Sequence, residues 1–285
     1  MANTNSTGWF PFKTGHRWLN ILLVFLPVAV VFNFLHVPPL LIFAAAALAI
    51  TPLASILGES TGTLAAHCGP AVGGILSATM GNATEMIIAI FALRAGHINV
   101  VKASLSGSII GNLLLVLGLS LVAGGSRYPV QRFSRAASAM NGTMLMIAVA
   151  ALVMPAVFNL TVFGTLQHRD ARLEQISLWT SGVLVLLYLL NLVFIFRTHR
   201  TAFQQMQQQE EPPATSRTQA LIVLAVATVL IAFMSELLVN QIEPVTRALG
   251  MTELFVGVIV VALIGNAAEN STAILMARRN KMDLA

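Results

Sequence analysis

At 285 residues, 56% apolar and only 9% charged, the chain is no ordinary soluble domain, in which about a quarter of residues carry charge. Its formal net charge of +5 does not mark a nucleic-acid binder, because the basic residues fall in short loops and build no basic domain. A single cysteine, Cys68, leaves no intramolecular disulfide and disfavours a cysteine metal site.

Eight apolar stretches are long enough to cross about 30 Å of hydrocarbon as helices. They run over about residues 18–36, 39–66, 70–94, 100–123, 136–158, 174–196, 219–249 and 253–277. The runs are continuous, whereas barrel strands alternate in polarity, so an all-α polytopic membrane protein is expected. The first 17 residues are polar, and no small-residue cleavage site follows the first stretch, which reads as a retained helix. Between the sixth and seventh stretches lies a polar, proline-terminated segment with the run Gln204 to Pro213, read as a cytoplasmic linker. With the N-terminus inside, eleven basic residues fall in loops on that side and five on the other, which places the N-terminus in the cytoplasm.

The chain repeats itself. Gly81-Asn82-Ala83-Thr84-Glu85 and Gly265-Asn266-Ala267-Ala268-Glu269 stand at an offset of 184, and Val72, Gly73, Ile75 and Ala78 match Val256, Gly257, Ile259 and Ala262 at that same offset. The first stretch has no counterpart, while the second and third align with the seventh and eighth, so the repeat unit is five helices. An odd number turns the second copy over, giving inverted repeats with a site near the midplane. The expected organisation is residues 1–36 as N-terminus and extra helix, 37–197 as first repeat, 198–218 as linker and 219–285 as an incomplete second repeat, with about 8 of an expected 11 spans present.

A carboxylate in hydrocarbon is costly and is rarely kept without a function. Glycine ahead of each Asn and Glu admits close backbone approach and weakens the helix, so both motifs are expected to be local breaks. Asn82 and Asn266 stand three positions before Glu85 and Glu269, on the same helical face. Carboxylate, amide and carbonyl oxygens form a hard-cation set suited to Ca²⁺. Two facing carboxylates neutralise one divalent cation, and the empty pair repels itself and invites protons. Exchange of a cation for protons follows from that electrostatics. Glu59 and Glu243 lie 26 residues before Glu85 and Glu269; with Glu236 they are candidate proton-handling or gating acids, against the plainer reading of solvated helix ends. Gly81, Gly265, Ser104, Ser108 and Asn112 are candidate lining of the cation site, against helix packing alone. His67 and His97 read as solvated loop termini.

On these residues the chain resembles the cation/proton exchangers of the calcium/cation antiporter superfamily. The resemblance rests on Pro52-Leu53-Ala54 through Gly58-Glu59, the run from Gly81 to Ile90, and Gly107-Ser108-Ile109-Ile110-Gly111-Asn112 with the apolar residues after it. In the second half it rests on Ser235-Glu236, Ile242-Glu243-Pro244, Gly265 to Glu269 and Asn280 to Leu284. It implies an exporter of Ca²⁺ driven by inward proton flow, with Glu85 and Glu269 as central ligands and alternating access. It implies no cofactor, with Ca²⁺ and H⁺ as the transported ions. The chain departs from the family pattern at Gly62 and Asn270, and its linker has only Glu210 and Glu211 as acids.

The expectation is therefore a secondary active transporter of a bacterial-type inner membrane, with lipid as its surroundings. The alternatives are a cation channel with a glutamate-lined filter and a non-transporting fragment. An intramembrane enzyme is the weakest reading, since no nucleophile or cofactor fingerprint accompanies the acids.

Overall fold

In the computed structural model, residues 19–165, 171–198 and 215–282 are described. All regular elements among them are helical. The linker segment 199–214 and the first 18 residues lie outside the described residues. The chain forms two compact units, one of residues 1–130 with 211–280 and 284–285, the other of residues 131–210 with 281–283.

The first unit begins with a short 3₁₀ turn, Leu19–Val24, that runs into α1, Phe25–Phe34. α2 spans Pro39–Met80 and starts with proline at its first helical position, where the missing N–H costs nothing. It is kinked at Gly69, whose φ of 77° is open to glycine alone without strain and which precedes Pro70. α3 spans Ala83–Arg94 and α4 spans Ile98–Ile110. A π-helical segment, Gly111–Val116, joins α4 to α5, Leu117–Gly125.

The second unit holds α6, Arg135–Phe163, and α7, Ala171–Thr198, packed against each other. Their apolar side chains, among them Met146, Leu178 and Trp179, are largely exposed, as suits helices whose surroundings are hydrocarbon.

After the linker the chain re-enters the first unit. α8 spans Arg217–Asn240 and opens with a reciprocal cap: Ser216 Oγ accepts from the Gln219 N–H at 3.3 Å, and Gln219 Oε1 accepts from the Ser216 N–H at 3.4 Å. α9, Ile242–Leu249, buries Ile242, Val245 and Thr246 and stops at Gly250, φ 63°. α10, Glu253–Phe255, continues through a π-helical segment, Val256–Val261, into α11, Ala262–Gly265; α12 spans Ala267–Ala277.

The core is built chiefly where α2 lies along α8. Ala45, Ala46, Ala49, Ile50, Leu53 and Leu57 meet Leu224, Ala227, Ile231, Met234 and Leu238, all buried. Three buried alanines, Ala45, Ala46 and Ala49, let the backbones approach, the usual device of helix contacts in lipid, where burial of apolar surface supplies no force of its own.

Of the eight stretches read as spans, five described helices are long and apolar enough to cross a membrane, or up to six when a pair bent by 116° is counted as one. The difference has local causes. The 3₁₀ turn and α1 together cover only Leu19–Phe34. The stretch from residue 70 has no helix start of its own, since α2 runs past Gly69 to Met80 and α3 follows with 12 residues. The stretch 219–249 still gives a span as far as Asn240, after which the chain turns by 116° between α9 and the helix that begins at Glu253, and the stretch 253–277 is broken at Asn266 between α11 and α12.

Candidate cation site

Both acidic motifs break their helices, as expected from the glycines. Asn82 has φ −96° and ψ 13°, and Asn266 has φ −96° and ψ 4°. The equivalent residues of the two copies therefore make the same turn. Each glutamate is then the third residue of the helix that follows, Glu85 in α3 and Glu269 in α12. The positive end of the helix dipole lies there, which favours a carboxylate.

The two motifs meet in a crossed arrangement. A Cβ on Gly265 would stand 2.8 Å from Glu85 Cγ, and a Cβ on Gly81 would stand 3.6 Å from Glu269 Oε1. Each acid thus lies against the glycine of the other copy, Glu85 half-buried and Glu269 exposed. At Gly265 the absent side chain is a requirement: Glu85 occupies the space.

Glu85 is half-buried and takes two hydrogen bonds on Oε1, from Ser108 Oγ at 2.5 Å and from Asn266 Nδ2 at 2.5 Å. The Nδ2 of Asn266, a residue only 3% exposed, also lies 3.0 Å from Ser108 Oγ and 3.0 Å from the Ala262 carbonyl, so its two hydrogens are shared among three acceptors. Three elements far apart in sequence therefore converge on one carboxylate. A small cleft beside it is lined by Glu85, Ala89, Ser104, Leu105, Ser108, Val261 and Ala262.

Close approach of α4 to the second copy makes this convergence possible. A Cβ on Gly107 would collide with the Val258 backbone, and a Cβ on Gly257 would stand 2.6 Å from Ala103 Cβ and 2.7 Å from the Val100 carbonyl. Two glycines, one on each helix, permit a contact that no larger pair allows.

The other sequence candidates are distributed differently. Asn82 is exposed and makes no hydrogen bond to the cluster, unlike its counterpart Asn266. Ser104 lines the cleft while its hydroxyl bonds to the Val101 carbonyl at 3.0 Å. Asn112 is exposed in the π-helical segment. Glu59 is half-buried on α2, Glu236 is exposed on α8, and Glu243 is exposed on α9 in an ion pair with Arg247. Among the described residues no three His, Cys, Asp or Glu side chains gather as a metal-binding group. A cation held here would lean on two carboxylates and neutral oxygens.

His97 corrects the sequence reading. It is no solvated terminus: its Nδ1 lies 3.0 Å from Glu253 Oε1, and its side chain is 15% exposed. Glu253 drew no notice in sequence because nothing local pairs the two residues, 156 positions apart. His67 is exposed, with Nδ1 2.8 Å from the Thr63 carbonyl.

Paired acids at two matching helix breaks, in an all-helical apolar chain, define the class: a membrane protein built around a carboxylate-and-oxygen cluster. The chain belongs to the family described as sodium/calcium exchanger protein, which it matches over residues 38–197 and 219–285. It is 40% identical over 278 residues to a Ca²⁺/H⁺ antiporter of Aphanothece halophytica, covering 92% of this chain and 74% of that one. It is 41% identical over 265 residues to the Ca²⁺/H⁺ antiporter ChaA of Bacillus subtilis, covering 91% and 74%. Among solved structures it is similar to native YfkE, with a TM-score of 0.76 and 37% identity over 93% of this chain and 74% of that one. The H⁺/Ca²⁺ exchanger CAX shares the fold, with a TM-score of 0.59 at 16% identity over 96% and 69%.

Proposed function

We propose that this chain carries the translocation centre of a Ca²⁺/H⁺ antiporter, a secondary active transporter that works by alternating access. The observation that supports this most directly is the crossed packing of Glu85 on Gly265 and Glu269 on Gly81. Two acids brought to one crossing of the two motifs carry the charge of one divalent cation, and carboxylate with amide and hydroxyl oxygens suits Ca²⁺. Left bare in a low-dielectric site the same acids repel, so protons replace the departing cation. Cation and protons then occupy the site in turn, which is exchange. Relatives named as Ca²⁺/H⁺ antiporters at 40% and 41% identity support the same reading.

Glu85 and Glu269 are the principal ligands in this reading, with Asn82, Asn266, Ser108, Ser104, Asn112, Gly81 and Gly265 as the candidate lining. Glu59, Glu236 and Glu243 are candidate proton or gating acids. Residues 37–197 and 219–285 form two inverted repeats joined by a cytoplasmic linker, and a first helix precedes them. The protein is a multi-pass resident of a bacterial inner membrane with its N-terminus in the cytoplasm, working without a cofactor. A channel reading is not favoured by relatives that bear the name antiporter.

The test is uptake of radioactive Ca²⁺ into membrane vesicles containing the protein. Saturable uptake driven by an imposed proton gradient and collapsed by a protonophore is expected. A linear, voltage-driven flux that survives the protonophore overturns the reading.

A further inference from the structure

The His97–Glu253 pair stands apart from the acid cluster yet joins the same two helical segments. His97 caps the start of α4, which bears Ser108 on its last turn, and Glu253 opens the helical run that leads to Asn266. At 1.5 Å per residue, His97 lies about 16 Å from the level of Ser108 and Glu253 about 20 Å from that of Asn266. Half the hydrocarbon thickness is about 15 Å. The pair therefore sits at one membrane surface when Glu85 sits near the midplane, and the basic-residue count assigns that surface to the exterior.

Between these two levels the helices touch through Gly107 and Gly257. Glycine contacts permit approach but offer no side chain to set register, so a polar lock at one end has leverage on the other. Two locks are present, the Ser108–Asn266 hydrogen bond at 3.0 Å and the His97–Glu253 contact at 3.0 Å. The remaining charged groups on elements packed around the outer pair are Glu85 and Arg94 on α3, Lys102 on α4, and Glu243 with Arg247 on α9, the last two paired with each other. Arg94 and Lys102 are exposed, so Glu253 is the acid in contact with the imidazole.

We propose that His97 and Glu253 are positioning residues: their contact pins the outer end of α4 to the helix starting at Glu253 in the register that lets Ser108 and Asn266 converge on Glu85. This rests on the exchange reading for its transport readout.

The test compares the wild-type protein with His97→Ala, which removes the contact, and His97→Gln, which keeps a hydrogen-bonding group facing Glu253. In vesicles, the Ca²⁺ KM of His97→Ala should rise by about threefold, the size of one polar contact, with the maximal rate little changed, and His97→Gln should return it toward the wild-type value. An unchanged KM in His97→Ala, or equal KM in the two variants, overturns the proposal. Thermal unfolding of the purified proteins gives a readout that needs no transport: His97→Ala should melt below His97→Gln, and equal melting temperatures overturn the pin even if the wild type exchanges no Ca²⁺.

Discussion

Asn266 Nδ2 lies 2.5 Å from Glu85 Oε1, a contact between residues 181 apart in the chain that ties the second acidic motif to the acid of the first. Its counterpart Asn82 is exposed and reaches no member of the cluster. The two asparagines are equal in sequence and unequal in structure. Asn266→Ala should raise the half-saturating Ca²⁺ concentration by about tenfold, as expected for loss of a hydrogen bond to a charged group, while Asn82→Ala should change it by less than about threefold. Initial rates of Ca²⁺ uptake against concentration decide, and equal effects of the two variants would contradict the asymmetry.

Glu85→Gln and Glu269→Gln keep shape and hydrogen bonding while removing charge. Each should lower exchange by at least about 30-fold, corresponding to about 2 kcal/mol for an unbalanced charge site. Size-exclusion profiles of the two variants should match the wild type. Retention of wild-type exchange by either would remove that residue from the ligand set.

Gly265→Ala places a methyl group 2.8 Å from Glu85 Cγ. The stem of the carboxylate must move, so exchange should fall by about tenfold or more while the melting temperature drops only by a few degrees, the overpacking cost being about 1–3 kcal/mol. Measured side by side, a large loss of stability with intact exchange would show that the glycine serves packing alone.

Gly107→Leu and Gly118→Ala test the helix crossing. A side chain at Gly107 meets the Val258 backbone, which cannot rotate away, whereas nothing lies within 4 Å of a Cβ on Gly118. The first should destabilise by more than about 2 kcal/mol. The second should be neutral or stabilising by up to about 1 kcal/mol, the helix propensity of alanine over glycine. Thermal unfolding monitored by circular dichroism distinguishes them.

Much of this site could be read without coordinates. The duplicated Gly-Asn-Ala-x-Glu motif and its constant offset singled out both acids and both glycines, because a charge in an apolar run is conspicuous wherever the chain goes, but marked Asn82 and Asn266 alike although only Asn266 reaches the cluster. Helix breaks at the motifs followed from glycine alone, and the matching dihedrals of Asn82 and Asn266 agree. Ser108 was singled out only as a small polar residue on an apolar helix, and its bond to Glu85 came with the structure.

Hydropathy and the local chemistry of Gly, Pro, Asn and Glu settled, from sequence alone, that the chain is an apolar, helical protein with acids at two helix breaks of matching motif. Only the tertiary structure decided which copy's asparagine bonds to Glu85, that each glutamate lies against the other copy's glycine, that His97 meets Glu253, and that the chain turns by 116° after α9. The reason is physical: composition acts over neighbouring residues, whereas these contacts join helices brought together by close packing at alanine and glycine, and a uniformly apolar run carries no mark of where it will bend or whom it will touch.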